Sequence, residues 1–273
     1  MQVLIVSLIL LTKRILGSVK VEGPAAALFF QGISGGKKTI ISEFVDMETT
    51  LVQTSVSKEY FQDMVSQMGQ DGEEFLIRLL AQDLKEDIDS RTLTLLNTMA
   101  TPGITVALDS LTDTSYKRKF EHIGLAIVSA LNSISDVVKR GGTGFAVVSS
   151  KVASALAITG ELIAPYNKSE YDRDYAGKLY GYIDIFIDTD KNISGDYALV
   201  GYKGNDSKLT GGVSYVIYNH TVQILNDYSL EENSVIIRER SVLAVNPLDS
   251  SDGTTANSDY YTKITVDFTN INI

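Results

Sequence analysis

Apolar residues recur at helical spacing from Glu73 to Met99: Leu76, Leu80, Leu84, Ile88 and Leu95, with Leu79 and Leu96 widening the stripe. Asp71, Glu73 and Glu74 put negative charge where a helix N-terminus is positive, and Thr101-Pro102-Gly103 stops the pattern. At 1.5 Å per residue this helix spans roughly 40 Å. Its other face carries Gln82, Asp83, Lys85, Glu86, Asp89 and Arg91, so the pattern predicts a helix lying on the surface of a sheet. So long a rod suits a flat, extended protein. Ser115–Lys139 gives a second helix, with Phe120, Ile123, Ile127, Leu131, Ile134 and Val138 on one face. Lys117, Arg118 and Lys119 in its first turn have the wrong sign for the dipole. Tyr60–Met68 reads as a short amphipathic helix, and Lys151–Ile158 as another capped by Ser149 or Ser150.

Elsewhere the period is two. Lys37–Phe44 and Thr49–Lys58 read as strands around Asp46-Met47-Glu48, a projecting hairpin with Gly32, Gly35 and Gly36 at its base. Thr101–Asp113 reads as a turn-rich connection and Phe145–Ser149 as a buried strand. Lys178–Ile187, Tyr197–Tyr202, Val213–Ile217, Val222–Leu225, Val235–Val245 and Tyr260–Phe268 follow as strands. Val3–Leu11 is apolar, is followed by Lys13-Arg14 and is too short to span a bilayer. Its positive charges follow the run where a signal peptide has them before it, so it reads as an arm buried against something, such as another subunit.

Composition narrows the classes. With 273 residues, 44% apolar and 21% charged, the chain can bury the core of one large or two modest domains. Its net charge of −10 argues against general nucleic-acid binding as a main task. The absence of Cys removes disulfides, thiolate metal sites and thiol nucleophiles, and two His cannot make a His-rich metal site. Asp188-Thr189-Asp190-Lys191-Asn192 begins like a calcium loop, but Ile193 stands where the turn needs Gly and Leu199 where a bidentate Glu belongs; it reads as an acidic turn. Arg140-Gly141-Gly142-Thr143-Gly144 follows a helix and opens a strand, the reverse of a phosphate loop. Glu73/Glu74 and Asp83/Glu86/Asp87 read as solvated charge and intersubunit ion-pair partners, and His122 as a surface or packing residue. The fourteen Tyr suit subunit contacts and core packing alike. No catalytic, cofactor or metal residues are assigned.

Several stretches, in order, resemble the major capsid protein of T-even-type tailed phages. They are Arg140–Ser150 (RGGTGFAVVSS), Gly177–Asp188 (GKLYGYIDIFID), Val200–Gly204 with Gly212–Tyr215, Gly23-Pro24 with Leu28-Phe29-Phe30, and the pattern of Phe75–Asp89. The resemblance implies an α+β fold of the Hong Kong 97 type: residues 1–22 an N-terminal arm, 32–56 an extended loop, 23–31, 57–141 and 233–273 a peripheral domain with Glu73–Met99 as spine helix, and 142–232 an axial domain. The peripheral sheet would include Val235–Val245 and Tyr260–Phe268. There are two departures: the family's insertion domain near the extended loop has no room, and Glu22, the first Glu, has Lys20 where the family's cleavage site has Leu or Ile. The expected mature chain therefore starts near Met1.

The implied function is structural: a shell subunit forming hexamers and pentamers around phage DNA, located in the virion and assembled in the host cytoplasm. Implied partners are further copies of the chain and portal, scaffold and vertex or decoration proteins, with DNA as enclosed cargo and no membrane. Alternatives are the pentameric vertex protein of the same fold, an encapsulin-like compartment subunit, and an enzyme that no residue cluster supports. Micrographs of particles, and neighbouring portal, protease and terminase genes, separate these. Within the shell reading, acidic Glu43, Asp46 and Glu48 at the hairpin tip are expected to meet Lys117, Arg118 and Lys119 of a neighbouring subunit.

Overall fold

The computed structural model describes residues 14–19, 26–34, 37–57, 59, 66, 72–112, 115–138, 144–165, 174–202, 211–227, 232–246, 260–269 and 271. Two compact units emerge: Met1–Leu28, Phe44–Asp89 and Tyr215–Ala244 in one, and Phe29–Glu43, Ser90–Ser214 and Val245–Ile273 in the other. Val3–Leu11 and most of Tyr60–Met68 lie outside the described residues.

The first unit is built on a four-stranded sheet in the order β1 (Arg14–Val19), β4 (Glu48–Ser57), β12 (Glu232–Val245), β11 (Val213–Asp227). Helix α1, Gly72–Met99, lays Leu76, Leu80 and Leu84 on Val52 of β4 and on Val235 and Ile237 of β12, the surface helix that the periodicity predicts. The stripe does not continue in one cluster. Beyond Leu84 the next buried residue is Leu96, in place of Leu95, and it packs with Leu93 and Met99 into the core of the second unit.

That second core lies on a seven-stranded mixed sheet. Its order is β5 (Thr101–Ala107), β13 (Tyr261–Asp267), β10 (Tyr197–Tyr202), β6 (Gly144–Ser149), β9 (Ile183–Asp188), β8 (Tyr175–Leu179), β7 (Leu162–Ile163). Helix α2, Tyr116–Val138, buries the expected face from Phe120 to Val138 and contacts β5, β10, β13 and α3 (Ser150–Thr159). Every residue of β10 is buried, as befits a central strand. Ser149 caps α3 by accepting from the Val152 N–H at 3.5 Å, and Gly160 ends it in the left-handed region at φ 80°.

Four expectations about the strands are corrected. The two-stranded ribbon pairs β2 (Ala26–Ser34) with β3 (Lys37–Val45); β4 leaves it for the four-stranded sheet, because Thr50 and Val52 bury there and Met47 is only 3% exposed. Asp46 thus stands at the junction of ribbon and sheet instead of at a tip. Thr101–Asp113 begins as β5, pairing in parallel with β13. Lys178–Ile187 is a hairpin, β8 and β9, turned by Tyr180-Gly181-Tyr182 with both Tyr180 and Gly181 at positive φ. The stretches at Val213 and Val222 are one strand, β11. The sheet implied by the resemblance also divides: Val235–Val245 is in the four-stranded sheet, whereas Tyr260–Phe268 supplies the second strand of the seven-stranded one.

Candidate assembly surfaces

Asp46 and Glu48 flank buried Met47, and both are exposed. The buried thioether side chain fixes the backbone there, so the carboxylates on either side are held outward. Glu43 lies on β3, with its side chain outside the described part. Lys117 and Arg118 are exposed and Lys119 half-buried in the first turn of α2, in the other compact unit from Asp46 and Glu48. Within α1, Glu74 is already matched by Arg78 at 2.6 Å, an exposed i,i+4 pair of small energetic weight, and Gln82 donates to Glu86 at 3.0 Å.

The acidic loop after β9 is a structural turn. Asp188 is buried and accepts from the Asn192 backbone N–H at 3.1 Å, the Asn192 side-chain amide at 3.0 Å, the Ile193 N–H at 3.2 Å and the Tyr197 hydroxyl at 2.6 Å. Its oxygens are spent on protein donors that fold the loop back onto β10. Ser90 of α1 donates to Asn192 at 2.6 Å, and Lys263 of β13 donates to Asn97 of α1 at 2.9 Å while lying over the Tyr197 ring. Burial, then the bond to Asp188, pushes the Tyr197 phenol well above its ordinary range. His122 lines an open groove of about 410 Å³ between β5 and α2, with Ile104, Leu111 and Leu125. The glycine turn before β6 lies outside the described residues up to Gly144.

One surface escapes periodicity altogether. Ile217, Tyr218, Val222, Ile224 and Leu225 are all exposed on β11, an outer strand of its sheet. A patch of this kind marks a contact surface. Its signal in the sequence was the shortage of charge between Val213 and Asn226, which reads equally well as a buried strand. At its base Tyr215 donates to Glu239, a carboxylate only 4% exposed, and His220 Nδ1 lies 3.5 Å from the same side chain. The tyrosines divide accordingly: Tyr197, Tyr202, Tyr260 and Tyr261 are core, whereas Tyr116, Tyr182 and Tyr218 face outward.

The family described as Major capsid protein Gp23 matches residues 14–266. The Major capsid protein of Vibrio phage KVP40 is 24% identical over 233 residues, which are 76% of this chain and 45% of that protein, so the chain spans about half the length of this relative. The capsid structure of Cyanophage P-SCSP1u superimposes with a TM-score of 0.53 at 10% identity, covering 94% of this chain and 90% of that one. The holo-SrpI encapsulin complex from Synechococcus elongatus PCC 7942 does so with a TM-score of 0.53 at 13% identity, covering 93% and 86%. At such identities the structural likeness is one of fold.

Proposed function

The chain belongs to the Major capsid protein Gp23 family and has the Hong Kong 97-like fold, and from that premise we propose that it is the repeating subunit of a phage head shell. The observation that carries the reading is the family match across residues 14–266, both compact units included. Copies assemble as hexamers and pentamers into a closed icosahedral shell around DNA. In this arrangement residues 1–22 act as an arm and the ribbon of β2 and β3 as an extended loop across a neighbour, while the unit with the four-stranded sheet is the peripheral part and the unit with the seven-stranded sheet the axial part. Assembly takes place in the host cytoplasm, with portal, scaffold and vertex or decoration proteins as further partners.

Stability in such a particle comes from area shared between subunits. The outward carboxylates Asp46 and Glu48, with Glu43, face Lys117, Arg118 and Lys119 of a neighbouring copy. The net charge of −10 keeps free subunits soluble and weakens adhesion of the inner face to packaged DNA. Electron microscopy of the purified chain tests the reading: closed shells are expected, and a chain that sediments only as a monomer overturns it. The fold shared with the SrpI encapsulin supports a second reading, a protein-loaded compartment. The contents of particles isolated from their natural source decide between them, DNA for a phage head and an enzyme for a compartment.

A further inference from the structure

Side chains alternate between the two faces of a strand. On β12, Val235 and Ile237 lie under α1, so Arg238 and Arg240 share the opposite face of the sheet, beside Leu51 and Thr49 of β4. From Thr49 to Ser57 on β4 and from Ser234 to Ala244 on β12, that face carries no other charged residue. Glu239, between the two arginines, alternates to the α1 side and is taken up by the Tyr215 hydroxyl. Among the described residues neither guanidinium meets a carboxylate. The Arg240 guanidinium lies over the Tyr218 ring, 5.6 Å from its centroid, and its Nε is buried with no hydrogen-bond partner. A buried donor without an acceptor costs free energy that an incoming carboxylate restores.

We propose that Arg238 and Arg240 receive the carboxylates of an extended segment of a second protein, which adds as a strand outside β11. The face is read from this chain alone; that the segment belongs to another component of the particle rests on the shell-subunit reading. The edge is open to it. Among the described residues no strand pairs with the far side of β11, and Val213–Asp227 has no Lys, Arg or Pro to protect it. Because Tyr218 belongs to β11, the guanidinium stacked on it already reaches beyond β12 toward that edge. A strand added there lies about 4.8 Å from β11, so an Asp or Glu on it meets the planar fork of donors on Arg240. Farther along β11, exposed Val222, Ile224 and Leu225 call for apolar side chains. The occupant is therefore acidic at the Tyr218 end and apolar at the other, with main-chain hydrogen bonds to β11 along its length.

Charge selects the partner. The chain has a net charge of −10, so an acidic segment is repelled by most of its surface and held where two arginines stand without acidic neighbours on their face. A phosphate backbone also suits a guanidinium pair, but it leaves the apolar half of β11 uncovered. The described strands of this chain do not offer such a segment themselves. Ile183–Asp188 carries acids among apolar residues but is locked between β6 and β8, and Glu48 stands in β4, inside the four-stranded sheet. Val3–Leu11 has no carboxylate at all.

The probe is a fluorescent peptide of about nine residues, valine and threonine with two glutamates at alternate positions near one end. A second peptide has glutamine in place of both glutamates. By fluorescence anisotropy the full chain should bind the glutamate peptide at least about tenfold more tightly than the glutamine peptide. Arg238→Gln with Arg240→Gln should erase that difference. Ile224→Glu, at an exposed position, should weaken both peptides by a similar factor while leaving both arginines in place, a second reading if the double variant folds poorly. Equal binding of the two peptides, or a preference that survives the double variant, overturns the inference. So does duplex DNA that displaces the glutamate peptide at equal charge, or an assembled shell in which a carboxylate of a neighbouring copy already meets the Arg240 Nε. Shells that form from a chain binding both peptides alike sink the receptor face and leave the shell reading standing. A glutamate preference in a chain that never assembles supports the receptor face and removes the shell reading.

Discussion

Asp188 ties the loop after β9 to β10 through four hydrogen bonds. Asp188→Ala leaves the Tyr197 hydroxyl and two backbone N–H groups without their partner in a buried setting, and is expected to cost about 3 kcal/mol. Tyr197→Phe removes one donor and keeps the ring under Lys263, so about 1 kcal/mol is expected. Urea unfolding of the two variants measures the difference. Burial raises the phenols of Tyr180, Tyr197 and Tyr261 above their ordinary value of 10.0. The folded chain therefore keeps protons that the unfolded chain releases, and stability should fall as pH climbs past about 10. Phenolate absorbance against pH, with and without denaturant, should show this late group only in the folded chain. Gly177 is irreplaceable for a different reason. Its φ is 140°, and a Cβ there would sit 2.2 Å from the Ile163 carbonyl oxygen. Gly177→Ala should cost at least about 2 kcal/mol and detach β7 from β8, seen as faster amide exchange at Leu162 and Ile163.

Helices were legible in the sequence because their packing face is written locally. Phe120, Ile123, Ile127, Leu131, Ile134 and Val138 of α2 are all buried. The exchange of Leu95 for Leu96 in α1 is physical: the two are adjacent leucines, and only tertiary packing selects Leu96. Leu96→Ala should cost about 3 kcal/mol and Leu95→Ala about 1 kcal/mol, read as shifts in the denaturation midpoint. Strand partners were not legible. Alternation tells which side of a strand is wet, but it does not identify the neighbour; hence β4 reads as the mate of β3 although it lies between β1 and β12. The parallel pair of β5 and β13 joins residues at opposite ends of the second unit's sequence, and no local pattern encodes that.

For the whole molecule, the ordered set of family-like stretches gave the fold, while the contact residues rest on charge placement alone. Asp46→Lys with Glu48→Lys should reduce shell yield at least tenfold and shift thermal unfolding of the subunit by only a few degrees, since both side chains are exposed. Lys117→Glu with Lys119→Glu in the same chain should restore part of the yield, because each copy then presents both reversed faces. Particle counts by microscopy beside calorimetry of the subunit read the two effects separately. A double reversal that assembles normally removes these residues from the interface. The place of β13 has a consequence in time. Residues 261–267 lie between β5 and β10, so a chain emerging from the ribosome holds β5 apart from the five strands β10, β6, β9, β8 and β7 until they are made. On the shell-subunit reading, copies translated short of residue 261 lack the finished second core on which to join.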